Sequence, residues 1–297
     1  MTTVIKDNVH NFCVDGSSDD IDIVIKKVVL DLPFTNQHNL GTMNSINWGR
    51  VMVQTIHYFY AYFSQAKSIG DVVEIIVPTG GLGNCTAGCF ASKMGLPIRL
   101  VCAVNTNDIV HRSFSTGDYS VAIMKRTLSP AMDIQVAYNI ERIMWLVSDG
   151  DCDLVSKVLV DFESSNHVTR IPPDLLSKIQ KVIGSGVTDD ETTLKTMVRC
   201  WQENNYLLCP HTAVAVAYYY RKSEREREKP RSVCIATASP VKFPETVLKA
   251  GLTPHTTDEV SNLKNMPTKF TEMKLGEDWE SMLRNCIISI SEKNVSV

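Results

Sequence analysis

A run of β-branched residues that collides with a proline and a cluster of glycines constrains this chain more than any other stretch. Val72 to Val77 reads VVEIIV; Pro78 and Thr79 follow, then Gly80, Gly81 and Gly83, and then small helix-compatible residues. The β-branched run reads as a strand, and the proline and glycines end it. The pattern predicts a helix from about Asn84 to Met94 and, after Gly95-Leu96-Pro97, a second strand from Ile98 to Val104. Strand, helix and strand in so short a stretch form a βαβ unit. Such a unit crosses over with a right hand and implies a parallel sheet with helices on both faces, so the expected fold class is α/β.

Around that unit the chain reads mostly as helix. Asp19 and Asp20 precede apolar positions at helical spacing, which predicts a helix from about Asp20 to Leu30; a second, aromatic on one side, covers roughly Ser45 to Gln65. The segment from Asp108 to Tyr220 reads mostly helical, interrupted at Pro130, Pro172-Pro173, Gly184 to Gly186 and Pro210. Arg221 to Lys229, RKSEREREK, alternates charge and reads as a solvated helix end or loop. Ser232 to Ala238 should return to the sheet as a short strand, and a last helix runs from about Asp278 to Ser291. The length of 297 residues suits one or two domains.

A net charge of -3, with both signs mixed along the chain, leaves no footprint for nucleic acid. No apolar run approaches the roughly 20 residues that span a bilayer, and the start MTTVIKDNVHNF lacks the layout of a secretory signal. The nine cysteines include no CxxC pair, and several sit in apolar runs, which suits a reducing compartment. The expectation is a cytoplasmic protein. Cys200, Cys209 and His211 lack the paired spacing of a structural zinc site, so no metal is expected and His211 reads as a capping or core residue.

The glycine turn is where chemistry is expected. A strand that feeds such a turn and then a helix gathers unpaired N–H groups and the positive end of the helix dipole at one point, which suits an anion. Glycines there permit positive φ and let a ligand approach the backbone. The pattern is not Walker A, because no Lys-Ser/Thr follows, and it misses the dinucleotide fingerprint at its last glycine. A phosphate cradle is one reading; a tight turn that binds nothing is the other.

TGGLGNCTAGCFASKMGLPI resembles the phosphate loop of the threonine synthase family. NSINWGRVMVQ (Asn44 to Gln54), NTNDIVHRSFSTGDYS (Asn105 to Ser120), TLSPAMDIQ (Thr127 to Gln135), NIER (Asn139 to Arg142), CPHTAVAVAY (Cys209 to Tyr218) and ATASPVKFPETV (Ala236 to Val247) resemble further blocks of that family, in its order. The resemblance implies a tryptophan-synthase-β-like fold (fold type II) with pyridoxal 5'-phosphate as cofactor and the whole chain, 1–297, as its large cofactor-binding domain. It implies that Thr79, Gly80, Gly81, Leu82, Gly83 and Asn84 hold the cofactor phosphate and that Thr237 faces the pyridine nitrogen. A neutral hydroxyl at that nitrogen would protonate it less firmly than a carboxylate and so suits elimination. Arg112, Lys242 and Asn44 become candidates for contacting the substrate, a small phosphorylated amino acid, although Asn44 and Asn47 are equally good helix-capping residues. No partner beyond that substrate, and no membrane, is expected.

The chain departs from the family at Gly80-Gly81-Leu82-Gly83, where threonine synthases read Gly-Asn-Phe-Gly, and has Cys209 and Ser239 where they carry Asp and His. Such changes resemble an animal threonine synthase-like branch, regarded as a phospho-lyase that converts O-phosphohomoserine to 2-oxobutyrate, ammonia and phosphate. Threonine formation is the rival outcome. In the family a lysine within a Phe-Lys-Asp block joins the cofactor; neither that block nor the Ser/Thr-Gly-Asp-Thr-Gly loop after it occurs here, and Lys6-Asp7 lacks the apolar scaffold around it. The expectation is that the N-terminal domain with the catalytic lysine is absent. The chain is then a piece of an enzyme or a short form that binds without catalysis.

Overall fold

In the computed structural model, which describes residues 1–225, 231–263 and 265–295, the chain divides into two compact units, 44–255 and 1–43 with 256–297. The larger unit is built on a four-stranded sheet of Val73–Pro78, Ile98–Val104, Ile183–Val187 and Ser232–Cys234, with every pairing parallel. The Val73–Pro78 strand is central, pairing with Ile98–Val104 on one side and Ser232–Cys234 on the other; Ile183–Val187 is the far edge. The expected βαβ unit is present, its two strands aligned from Val73 opposite Ile98 to Pro78 opposite Ala103. The helix between them spans Gly83–Lys93.

Alternation along the strands sends apolar side chains to both faces, as a parallel sheet between helical layers requires. Val73, Ile75, Val77, Leu100 and Cys102 point into the larger core, which includes Tyr58 and Tyr62 of the helix Trp48–Gln65, Ala87 of Gly83–Lys93, and Ile140 and Ile143 of the helix Ile140–Val147. Ile76, Val101 and Ala103 point the other way, onto Val214 and Ala215 of the helix Pro210–Arg225. Asn47 starts the helix at Trp48, its carboxamide oxygen accepting from Arg50 N at 3.4 Å. Of the alternating-charge segment Arg221–Lys229, residues 221–225 form the end of the helix Pro210–Arg225 and the rest lies outside the described residues.

One sequence expectation is corrected. Gly184 to Gly186, read as an interruption between helices, belongs to the strand Ile183–Val187. The reason is packing: a Cβ on Gly186 would lie 2.5 Å from Cδ2 of Tyr218, so the glycine is what lets the Tyr218 ring rest on the strand. Two glycines in five residues resemble a break, yet here one of them serves a helix on the sheet's face.

The smaller unit pairs Phe12–Val14 in parallel with Thr271–Met273. Its helix Ser18–Leu30 begins in a capping box, Ser17 accepting from Asp20 N at 3.2 Å while the Asp20 carboxylate accepts from Ser17 N at 2.8 Å. It packs against the last helix, Trp279–Val295, and Asp31 pairs with Arg284 of that helix at 2.8 Å. No helix among the described residues is long and apolar enough to cross a membrane.

Candidate active site

The turn after the central strand opens into a cleft of about 360 Å³, lined by Thr79 to Cys85, Ser45, Arg50, Gln54, Ala131, Met132, His211, Thr237, Ala238, Lys242 and Phe243, together with Val77 and Pro78. Thr79 closes the strand: its N–H donates to Ala103 O at 2.8 Å and its hydroxyl to Val77 O at 2.7 Å. From Gly80 to Cys85 the backbone N–H groups meet no acceptor among the described residues. These are the unpaired donors that open a helix, and they carry the positive end of its dipole.

The turn's carbonyls, by contrast, are tied down. Asn139, fully buried, donates from its backbone N–H (3.2 Å) and its Nδ2 (2.8 Å) to Gly81 O, and Arg142 donates to the Asn139 carboxamide oxygen. Thr86 N–H donates to Leu82 O at 2.8 Å. Fixing the carbonyls fixes the peptide planes, which holds the donors in place without a ligand.

The glycines serve space, not φ. A Cβ on Gly80 would sit 2.9 Å from Ala131 O, and one on Gly83 would sit 3.2 Å from Ser45 O. None of Gly80, Gly81 and Gly83 has positive φ; the left-handed residue is Leu82, at φ 65°. This corrects the expectation that the glycines supply that conformation. Leu82 holds it because its side chain, 3% exposed, is part of the larger core.

A buried polar network fixes the opposite wall. Asn105, at the end of the strand Ile98–Val104, donates to Asp133 at 2.7 Å and to Thr127 Oγ1 at 2.8 Å; Asn107 donates to Asp133 at 3.0 Å, and Thr127 N–H to the other Asp133 oxygen at 2.9 Å. The loop so held presents Ala131 and Met132 to the cleft. Ala131 N–H donates to His211 Nε2 at 3.1 Å, which leaves the imidazole proton on Nδ1, a buried atom with no partner among the described residues. Burial pushes His211 down to about 4, so the ring is neutral.

Thr237 and Lys242 reach the cleft from the loop after the last strand. Thr237 N–H donates to Thr212 Oγ1 at 3.2 Å, anchoring the loop to the start of the helix Pro210–Arg225. Lys242 ends a short turn whose cap, the Ser239 hydroxyl, accepts from Val241 N at 3.3 Å. Gln54 and Asn84 join across the cleft, Asn84 Nδ2 donating to Gln54 Oε1 at 2.9 Å.

Two of the sequence-derived candidates lie elsewhere. Arg112 does not line the cleft: its guanidinium donates to Asp108 at 3.0 Å, Asp118 at 2.7 Å and Ser120 O at 2.7 Å, so it braces a local turn. Asn44 neither lines the cleft nor caps the helix, a role that Asn47 takes; its carboxamide oxygen accepts from Ile46 N at 3.2 Å in an Asx turn. Ser45, Arg50, Gln54, Ala131 and Phe243 were not anticipated. Arg50 and Gln54 stand one turn apart on the helix Trp48–Gln65, a spacing that could have marked them.

Known proteins resemble this chain in sequence and in fold. The family description "Threonine synthase, C-terminal" matches residues 212–284. Threonine synthase-like 2 of Homo sapiens is 48% identical over 298 residues, covering 99% of this chain and 61% of that protein. Threonine synthase of Pseudomonas aeruginosa is 36% identical, over 85% of this chain and 53% of the relative. The crystal structure of PLP-bound threonine synthase from Brucella melitensis superposes with a TM-score of 0.83 at 32% identity, over 97% of this chain and 61% of that one. The chain belongs to the threonine synthase family. Threonine synthase from yeast gives the same TM-score at 28% identity, over 100% of this chain and 61% of that one. The fold is therefore that of the PLP-dependent threonine synthases, and the chain spans about 61% of the length of the relatives named here, 53% for the Pseudomonas aeruginosa enzyme.

The cleft's residues fit that family's cofactor. A phosphate dianion needs several N–H donors and a backbone it can approach closely, and the turn offers donors from Gly80 to Cys85 with no Cβ at three of those positions. Arg50 and Lys242 add positive charge to the same cleft.

Proposed function

We propose that the protein to which this sequence belongs is a pyridoxal 5'-phosphate-dependent lyase of the threonine synthase-like kind, acting on O-phosphohomoserine or a similar phosphorylated amino acid. The observation that carries the reading is the set of backbone donors, Gly80 to Cys85, held open by Asn139 in a cleft that also contains Thr237 and Lys242. Gly80 to Asn84 bind the cofactor phosphate, and Thr237 offers a neutral hydroxyl to the pyridine nitrogen. When bound, the cofactor supplies an electron sink for the substrate's α-carbon. Lys242 neutralises charge that gathers on the departing phosphate, which lowers the barrier to its loss. The Phe243 ring, 4.8 Å from His211, and Met132 give the same cleft an apolar wall.

Two measurements test this. Titration of the chain with pyridoxal 5'-phosphate, followed by quenching of intrinsic fluorescence, should saturate, and Gly80→Ala should weaken binding at least tenfold, since the new Cβ meets Ala131 O. No saturable binding by the parent chain sinks the proposal. Incubation with O-phosphohomoserine then separates the outcomes: 2-oxobutyrate supports the lyase, threonine the synthase. Cofactor binding without either product favours a non-catalytic binding role for this chain.

A further inference from the structure

A second cleft in the 44–255 unit, of about 400 Å³, is lined by Arg99, Gly186, Tyr218, Arg221, Lys222 and Arg225 and shares no residue with the first. It runs along one face of the sheet toward the Ile183–Val187 edge, from Arg99 near the amino end of its strand to Gly186, which stands opposite Ala103 near the carboxyl end. Arg99 stands opposite Glu74 near the amino ends of two parallel strands, whereas the glycine turn follows the carboxyl end at Pro78. Alternation places Arg99 on the same face as Val101 and Ala103, which pack on the helix Pro210–Arg225. On that helix Tyr218, Arg221, Lys222 and Arg225 fall at i, i+3, i+4 and i+7, a single face. The Tyr218 ring, resting on Gly186, forms the floor.

Four cations meet here, and one of them is neutralised at close range: Lys222 pairs with Glu74, a buried carboxylate, at 2.5 Å. Arg221 donates to Val187 O at 2.8 Å and Thr188 Oγ1 at 3.1 Å, both uncharged. Among the described residues no carboxylate lies within ion-pair distance of Arg99, Arg221 or Arg225. Asp189 attracts Arg221 from farther off, its carboxylate occupied in capping the next helix at Thr192 N. Basic residues near a helix C-terminus complement its dipole, which accounts for Lys222 and Arg225. It does not account for Arg99, which comes from a strand, or for Arg221, which turns to the neighbouring strand.

We propose that this cleft binds a phosphate dianion, inorganic or carried by a small organic molecule, between Arg99, Arg221 and Arg225. Guanidinium groups donate in forks that match the oxygens of a tetrahedral dianion, and a dianion offsets their mutual repulsion where a monocarboxylate leaves more of it in place. The recess is roomy enough for the phosphate with a small substituent.

The test follows the arginine Nε–Hε resonances of the full chain by ¹⁵N NMR while inorganic phosphate, and separately O-phosphoserine, is added at constant ionic strength. Saturable shifts of Arg99, Arg221 and Arg225 that weaken at least tenfold in R99Q/R225Q support the site. Tighter binding of the organic ester would mark it as the ligand, and equal or tighter binding of inorganic phosphate would mark the free anion. Shifts reproduced by chloride at the same ionic strength, or affinity in R99Q/R225Q within twofold of the parent, overturn the proposal. Arg99→Gln alone, at an exposed position, serves if the double variant does not fold.

Discussion

Leu82 holds a backbone conformation that costs an ordinary residue about 1–2 kcal/mol, and it does so in the middle of the turn that carries the site. Removing the side chain should therefore give an unusual ranking. Leu82→Ala loses core packing, about 2–5 kcal/mol, and keeps the strain; Leu82→Gly loses the same packing and relieves it. Chemical denaturation should find Leu82→Gly more stable than Leu82→Ala by roughly 1 kcal/mol, the reverse of the order in a helix interior. His211 gives a second expectation. Its folded pKa of about 4 lies below the ordinary 6.5, so between those values the unfolded chain binds the extra proton. Stability from this residue is thus complete above pH 6.5 and falls as the pH drops toward 4, by about 2–4 kcal/mol in all. His211→Gln keeps an acceptor for Ala131 N–H and should flatten that slope in urea melts at pH 7 and pH 4.5; an unchanged slope would place the titrating group elsewhere. At this scale the place of the turn, Gly80 to Asn84, was readable, but its backbone was not: the left-handed residue is Leu82, held by core contacts that no local pattern marks. The sequence misled at Arg112, whose partner Asp108 stands four residues earlier and could have been noticed.

Elements were more legible than single side chains. The Val73–Pro78 and Ile98–Val104 strands and the helix between them lie where the β-branched runs and glycines predict, because local pattern and tertiary demand agree there. The strand Ile183–Val187 escaped because its glycines answer to Tyr218, far along the chain. That relation makes a testable pair. Gly186→Ala should destabilise the protein by about 1–3 kcal/mol through overpacking against the ring. Tyr218→Ala should recover part of that loss in the double variant, giving a coupling of about 0.5–3 kcal/mol in a double-mutant cycle. Additive losses would show that the ring and the strand do not meet as described.

For the whole molecule, the division into a unit of residues 44–255 and one drawn from both termini was not foreseeable, since no linker or shift in composition marks it. Every residue that lines the cleft at the glycine turn falls within 44–255. The fragment 44–255, expressed alone, should fold cooperatively and bind pyridoxal 5'-phosphate within about threefold of the full chain, as read by circular dichroism melting and fluorescence titration. A fragment that melts without a transition would refute its independence. The pairing of Phe12–Val14 with Thr271–Met273 carries one more consequence. During synthesis at ~5–20 residues per second, the first strand waits on the order of 10–50 s for its only strand neighbour among the described residues. Meanwhile residues 44–255 emerge and can condense, so a nascent-chain experiment should find the interior protected from protease before either terminus.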